Sequence, residues 1–210
     1  MKELIIVGGG GMGRTVYCIA KGCYGYESEF TIKGYIDDNV HSLDGYDGYP
    51  PILGTIDEYL IQPNDVFVCS IGTTKTKRMI CEKLIAKGAK FQSLIHKTAV
   101  VHKNVKIGDG GIVADYSLIG ADAKLGDNVL VQPYAVVGHD CIIGDYVRID
   151  THVVCVGGVV INSGATIHTG AVVSHNVVVG DDAVVAANSF VIKKVNPKTT
   201  VWGNPAKLLS

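Results

Sequence analysis

The strongest constraint on the fold is a six-residue period that runs through the second half of the chain. From Ile95 to Val191 every sixth residue is Ile, Leu, Val or Cys, and the residue four positions after each of them is small or β-branched. An α-helix repeats about every 3.6 residues and a β-strand every two, so neither alone produces this period. A β-sandwich with coincidental spacing is the alternative. The pattern favours a β-solenoid, in which three hexapeptide units form one triangular coil and the aliphatic side chains point inward.

The period also acts as a map, because residues eighteen apart lie above one another at about 4.8 Å per coil. Two neighbouring columns on one edge of the predicted solenoid combine histidine, acidic residues, glycine and lysine. The first column contains His139, Gly157, His175 and Lys193, and the second contains Asp140, Gly158, Asn176 and Lys194. An acyl-CoA is long and thin, so this edge suits a thioester beside His139 and phosphates about 14 Å away at Lys193 or Lys194.

His139 is the candidate general base of this edge. Neutral imidazole is the side chain best suited to take a proton from an amine or hydroxyl near neutral pH, and Asp140 beside it can orient the ring and stabilise its protonated form. Gly157 has no side chain, so its backbone amide can approach an acetyl oxygen. The alternative is that His139 is an ordinary solvated turn residue.

His139 and His175 lie about 9 to 10 Å apart on the map. This is too far for them to share one zinc ion, so we expect no catalytic metal.

Composition argues against several other classes of protein. The six cysteines contain no CxxC pair, which argues against a zinc site or a disulfide framework and predicts a cytoplasmic protein. A net charge of -1 predicts neither nucleic-acid nor membrane-surface binding. No apolar run is long enough for a membrane span, and the first residues do not suggest a signal peptide.

The first ninety or so residues alternate short apolar strands with helical patterns, which predicts a small Rossmann-like βαβ domain. A glycine loop, Gly8–Gly13, follows the first predicted strand and precedes a helix, where backbone amides can hold a phosphate. Asp37 and Asp38 end the second predicted strand, where an acid can accept a ribose hydroxyl. A dehydrogenase does not fit, because the chain then becomes a solenoid; a tight turn that needs glycine only for packing is the alternative. The predicted domains are 1–92, 93–195 and a C-terminal tail, 196–210.

The whole chain is similar to the NeuD/PglD-type sugar O- and N-acetyltransferases, which carry a left-handed parallel β-helix. The matching motifs are Ile5–Val7 with the glycine loop, Gly34–Asp38, Ser70–Gly72 with Arg78, Leu94–His96, Val137–Asp145 and Val201–Lys207. The resemblance implies a homotrimer with acetyl-CoA between neighbouring β-helices and a nucleotide-linked sugar on the N-terminal domain. It also implies that His139 is the base with Asp140 beside it, that the Gly157 amide binds the thioester carbonyl, and that Asp37 and Asp38 contact the nucleotide.

Three sites depart from the family pattern: Met12 replaces a frequent His, the pair Gln132-Pro133 replaces a more usual Asn-Thr, and Arg148 replaces a frequent His. The predicted reaction is direct transfer of acetyl from acetyl-CoA to a nucleotide-linked 4-amino-4,6-dideoxy sugar. O-acetylation of a sugar such as sialic acid and a non-catalytic trimeric nucleotide-binding scaffold are the alternatives. The predicted acetyl-CoA site comprises Gly157, His175, Lys193, Lys194 and Pro205. The predicted nucleotide-sugar site comprises Gly10, Gly11, Met12, Gly13, Asp37, Asp38, Ile71, Gly72 and Arg78.

Overall fold

The computed structural model describes residues 1–209 and begins with a small α/β unit. Its elements are β1 (Lys2–Val7), α1 (Gly11–Lys21), β2 (Phe30–Ile36), β3 (Asp65–Cys69) and α2 (Thr74–Ala86). The three strands are parallel in the order β2-β1-β3, as the βαβ pattern predicts. Central strand β1 is apolar on both faces, because Leu4 packs with α1 and Ile5 packs with α2.

The remainder of the chain forms a parallel β-helix of two-residue strands, which confirms the predicted solenoid. The strands are β4 (Leu94–Ile95), β5 (Val100–Val101), β6 (Lys106–Ile107), β7 (Ile112–Val113), β8 (Leu118–Ile119), β9 (Lys124–Leu125), β10 (Leu130–Val131), β11 (Val136–Val137), β12 (Ile142–Ile143), β13 (Arg148–Ile149), β14 (Val154–Cys155), β15 (Val160–Ile161), β16 (Thr166–Ile167), β17 (Val172–Val173), β18 (Val178–Val179), β19 (Val184–Val185) and β20 (Phe190–Val191). The second residue of each strand carries the six-residue period. Except for the exposed Val101 in the first coil, these residues pack in one continuous interior core.

The strands stack into three faces. Face 1 contains β4, β7, β10, β13, β16 and β19; face 2 contains β5, β8, β11, β14, β17 and β20; face 3 contains β6, β9, β12, β15 and β18. Partners along each face are eighteen residues apart, as in Leu130 with Arg148 and Val136 with Val154. The sequence map therefore describes the physical columns of the molecule up to β20.

The last coil is two residues shorter than the others. Val195 pairs with Val179, sixteen residues away, and Thr200 pairs with Val184 at the same separation. Strand β21 (Thr200–Trp202) then extends face 1 and turns back antiparallel into β22 (Lys207–Leu208). The predicted position of Lys194 above Asn176 is therefore wrong, because the shortened register places Lys194 beside Val178.

The α/β unit packs on face 1 of the β-helix. Leu94, Ile112 and Leu130, which point outward from the first coils of face 1, share a buried core with Leu4 and residues of α1. The Lys77 ammonium on α2 is buried and donates to the Asn128 carbonyl at 3.1 Å. Within residues 1–209, no helix is both long and apolar enough to cross a membrane.

Candidate active site

His139 and Asp140 lie at the corner between faces 2 and 3, as the sequence map predicts. His139 Nδ1 is 2.7 Å from Asp140 Oδ2, and each side chain is 66% exposed. Asp140 has a φ of 58°, a left-handed conformation that Asp tolerates in turns. Its N–H donates to the Ala121 carbonyl of the preceding coil at 3.0 Å. The result is an imidazole whose Nδ1 is paired with a carboxylate and whose Nε2 is available to a substrate.

Gly157 lies in the next coil, directly beside His139. A Cβ atom at Gly157 would overlap the His139 ring, so only glycine permits the observed position of the imidazole. At the corner between faces 3 and 1, the equivalent amides are hydrogen-bonded by a side chain one coil on, as Asp127 N–H is by Asp145 Oδ1 at 2.8 Å. In the described part of the chain the Gly157 N–H has no such acceptor. This site therefore presents a base and a free amide donor side by side.

The predicted acetyl-CoA residues continue toward the C-terminal end. His175 is exposed one coil beyond Gly157, and Lys193 follows β20, which pairs with β17 just before His175. Lys193 and Lys194 line a groove at the last coil together with Leu208, and the exposed Pro205 lies in the turn between β21 and β22. The structure thus keeps His139, Gly157, His175 and Lys193 on one edge and moves Lys194 onto the adjoining face.

The glycine loop lies at the carboxyl edge of the three-stranded sheet. The helix starts at Gly11 with Gly10 as its N-cap, and no side chain caps its first turn. Gly13 is buried, and a Cβ there would overlap the Gly8 carbonyl oxygen, so it is needed for close packing of strand and helix. Met12, in the first turn of α1, is partly buried against the core. The exposed backbone of Gly10 and Gly11 is therefore the part of this loop that is open to a ligand.

The two acidic residues at the end of β2 both hold backbone amides. Asp37 accepts from the Gly9 N–H at 2.6 Å and from the Asn39 N–H at 2.8 Å. Asp38 accepts from the Ile56 N–H at 3.0 Å. Each carboxylate shapes its own turn, and Asp37 also fixes the glycine loop.

The end of β3 joins the glycine loop, whereas Arg78 does not. The Ser70 hydroxyl donates to the Gly8 carbonyl at 3.0 Å, which places Ile71 and Gly72 next to the loop. Arg78 instead lies 3.5 Å from Asp182 and packs over the Tyr146 ring, both on the β-helix. The structure therefore groups Ile71 and Gly72 with Gly10–Gly13 and uses Arg78 as a contact between α2 and the β-helix.

A polar network on face 1 was missed by the sequence analysis. The Arg148 guanidinium donates from Nε and Nη2 to Asp150 at 2.6 and 3.0 Å, and from Nη1 to the Gly72 carbonyl at 3.2 Å. Gln132 Nε2 donates to Asp150 at 2.6 Å, and His168 Nδ1 lies 3.0 Å from the same carboxylate. Because Gln132, Asp150 and His168 are eighteen residues apart, the column map contained the signal that identifies them.

Buried thiols near the candidate site are poor nucleophiles. Cys141 and Cys155 are completely buried, and burial raises the pKa of both thiols above the ordinary value. All six cysteines are free. Among residues 1–209, no group of three or more His, Cys, Asp or Glu side chains could hold a metal ion. The available chemistry is proton transfer by His139 and hydrogen bonding by the Gly157 amide.

The comparisons with known proteins match both parts of the chain. The PglD N-terminal domain family matches residues 3–84, and the bacterial transferase hexapeptide family matches residues 122–157. UDP-N-acetylbacillosamine N-acetyltransferase of Bacillus subtilis (strain 168) is 29% identical over 117 residues, which is 54% of this chain and 51% of that enzyme. The chain thus aligns with about half the length of that curated relative.

Solved structures match over nearly the full length. The acetyltransferase domain of PglB from Neisseria gonorrhoeae FA1090, in complex with acetyl coenzyme A, is 30% identical with a TM-score of 0.88, and the match covers 99% of each chain. PerB from Caulobacter crescentus, in complex with CoA and GDP-perosamine, is 26% identical with a TM-score of 0.88, covering 100% of this chain and 98% of that one. Fold and site together define a left-handed β-helix acyltransferase with an N-terminal α/β domain. The chain belongs to the PglD/NeuD-type acetyltransferase family.

Proposed function

We propose that this protein transfers acetyl from acetyl-CoA to the amino group of a nucleotide-linked 4-amino-4,6-dideoxy sugar. The observation that carries the proposal is the contact between the His139–Asp140 pair and Gly157, whose amide is free. The relatives support the substrate class, since one is named UDP-N-acetylbacillosamine N-acetyltransferase and another was solved with CoA and GDP-perosamine.

The proposed chemistry is direct transfer. His139 Nε2 accepts a proton as the amine nitrogen attacks the thioester carbon, and the Gly157 N–H donates to the oxyanion that forms. Asp140 stabilises the imidazolium through Nδ1. When the tetrahedral intermediate collapses, the carbon–sulfur bond breaks, and the proton passes from His139 to the departing CoA thiolate. No acyl-enzyme is formed, in keeping with the buried thiols of Cys141 and Cys155.

The substrates are proposed to approach from two sides. Acetyl-CoA lies along the edge that runs from His139 past His175 to Lys193, with its phosphates near the lysines of the last coil. The nucleotide lies at the carboxyl edge of the three-stranded sheet, against the open start of α1 and the turn that Asp37 holds. The domain boundaries 1–92, 93–195 and 196–210 remain predictions.

We also propose that the protein is a homotrimer in the cytoplasm. The outward residues of face 2 form an uninterrupted apolar column that is partly exposed: Val100, Leu118, Val136, Val154, Val172 and Phe190. Such a column supports packing against other copies, because a contiguous apolar patch typically marks an interaction surface. The six free cysteines support a reducing compartment.

The test is acetyl-CoA consumption with a panel of UDP-, GDP- and dTDP-linked 4-amino sugars and with free sialic acid. We expect turnover with an amino sugar, and a loss of about 100-fold or more in kcat for His139→Ala. The matched control is His102→Ala, an exposed histidine at the same kind of corner near the start of the β-helix.

Each remaining outcome contradicts a named part of the proposal. Turnover only with the hydroxyl acceptor would favour O-acetylation. If none of the acceptors supported consumption of acetyl-CoA, a non-catalytic scaffold would be favoured. An unchanged kcat in His139→Ala would show that His139 is not the general base.

A further inference from the structure

We infer that His168, held by the buried carboxylate of Asp150, is a specificity-determining residue that contacts the sugar ring of the acceptor. This inference rests on the proposed function and on the proposed trimer. His139 and His168 of one chain lie at opposite edges of face 2, so the His139 that receives the acceptor amine belongs to a neighbouring copy. His168 Nδ1 lies 3.0 Å from Asp150 Oδ2, and its side chain is 39% exposed. Within the part of the chain that the structure describes, His168 Nε2 has no hydrogen-bond partner, so this nitrogen is available at the surface.

The fold itself does not require polar residues at this position. One column of face 1 follows the strands at successive coils. It contains His96, Ala114, Gln132, Asp150, His168 and Ala186, each of which donates its N–H to a carbonyl of the next coil. Ala114 and Ala186, on either side of the three central polar residues, show that a small apolar residue satisfies the β-helix at this position. Burying the Asp150 carboxylate is unfavourable unless it is fully paired. The central three polar residues therefore need an explanation other than folding.

Asp150 is paired on every side by donors that fix it in place. Its side chain is 4% exposed, and it accepts two hydrogen bonds from Arg148 and one from Gln132 besides its contact with His168. Such a carboxylate fixes the orientation and tautomer of the imidazole, with the proton on Nδ1 and the Nε2 lone pair facing outward. A sugar hydroxyl is the matching donor.

An unbroken series of contacts joins this column to the glycine loop. The Gly8 carbonyl accepts from Ser70, Gly72 follows Ser70 by two residues, and the Gly72 carbonyl accepts from Arg148. Arg148 in turn holds Asp150. A ligand whose diphosphate lies at the glycine loop would therefore direct its next group, the sugar, over Gly72 toward His168.

The charge of the column favours a sugar over a phosphate. The positive charge of Arg148 is neutralised by the bidentate contact with Asp150, so no free cation remains in this column to attract a diphosphate. The surface is neutral and polar. Hydroxyl groups of a hexose fit such a surface, and the span from Gln132 to His168 is two coils, about 9 to 10 Å.

The experiment compares His168→Asn with His168→Gln. Asparagine places an amide nitrogen near the position of Nδ1 and keeps the bond to Asp150 while deleting Nε2; glutamine restores a polar group near Nε2. We expect His168→Asn to raise the KM for the nucleotide-linked amino sugar about three- to tenfold, the effect of one lost hydrogen bond. The KM for acetyl-CoA should stay unchanged, and His168→Gln should recover part of the loss. His102→Asn is the matched control.

Calorimetric binding separates this inference from the proposed function. We expect His168→Asn to weaken binding of the nucleotide-linked amino sugar while leaving the Kd of the matching nucleoside diphosphate, UDP, GDP or dTDP, unchanged. Equal weakening of both ligands, or unchanged binding of both, would overturn the inference. Wild-type protein that binds the amino-sugar nucleotide through His168 but never consumes acetyl-CoA would overturn the proposed reaction and leave the inference standing.

Discussion

Two histidine–aspartate pairs lie on different sides of one β-helix, and they are built in contrasting ways. His139 and Asp140 are neighbours in sequence at a corner, and each side chain is 66% exposed. His168 and Asp150 meet across one coil of face 1, where the Asp150 side chain is only 4% exposed. The same two residue types thus form a solvated pair in one place and a buried, multiply bonded pair in the other.

The two pairs differ in how much a substitution that alters function would also alter the stability of the fold. An exposed ion pair contributes about 0 to 1 kcal/mol to folding, so the His139–Asp140 pair is free to serve a substrate. Breaking a buried pair leaves an unpaired charge and is far more destabilising. Asp150 also orients Arg148, whose guanidinium holds the Gly72 carbonyl. The buried pair therefore links site geometry to the docking of the two domains.

The largest effect is expected from Gly157→Ala. The added methyl would overlap the His139 ring and crowd the free amide, so it removes the base position and the oxyanion donor together. We expect kcat to fall about 100-fold or more, measured by acetyl-CoA consumption, with little loss of secondary structure by circular dichroism.

The double variant His139→Ala with Gly157→Ala tests whether the methyl acts through the histidine. Residues that act as a unit are not additive, so the double variant should be slower than His139→Ala by much less than the full Gly157→Ala factor, since only the crowding of the amide still counts once the ring is gone. A further loss of the full Gly157→Ala factor would contradict the coupling. If Gly157→Ala kept the wild-type kcat, the proposed catalytic role of the corner formed by His139 and Gly157 would be wrong.

A matched pair of substitutions sharpens the contrast in stability. Asp150→Asn leaves Arg148 without its carboxylate, and we expect it to lower the free energy of unfolding by about 3 kcal/mol. Asp140→Asn changes an exposed pair, and we expect a change within about 0.5 kcal/mol. Thermal and urea unfolding at fixed protein concentration measure both. Equal losses in the two variants would show that burial does not distinguish the pairs.

The fold was predictable because one period determines both strand and register. Each residue of the series from Ile95 to Val185 is the second residue of a strand, as the six-residue spacing predicts, and all but Val101 in the first coil pack in the interior core. The shortened last coil could not be predicted from the sequence. Val195 fits the small or β-branched position of the repeat as well as the inward position that it occupies. The shortened register continues into β21, which pairs antiparallel with β22, and this pairing is not periodic.

The site was predictable where it depends on columns and unpredictable where it depends on docking. The contact of His139 with Gly157 follows from an eighteen-residue separation. Arg78 turned toward Asp182 because α2 packs beside the β-helix, which no spacing within α2 reveals. The residues around Asp150 form a column that the sequence reveals. Their link to the glycine loop depends on the contact between Arg148 and the Gly72 carbonyl, which exists only when the α/β unit packs on the β-helix.

The smallest effect is expected from Cys141→Ala, next to the exposed pair. Cys141 adjoins Asp140 in sequence, so an acyl-enzyme on this thiol is the main competitor to direct transfer. Its sulfur is buried and lies 3.3 Å from the Val156 carbonyl, and burial raises the pKa of the thiol, so little thiolate forms near neutral pH. We expect kcat within about twofold of wild type, because losing one interior sulfur changes packing more than chemistry. Radiolabelled acetyl-CoA provides the decisive readout: label retained on denatured wild-type protein but absent from Cys141→Ala would replace direct transfer with a covalent intermediate, and His139 would then activate a thiol rather than the acceptor amine.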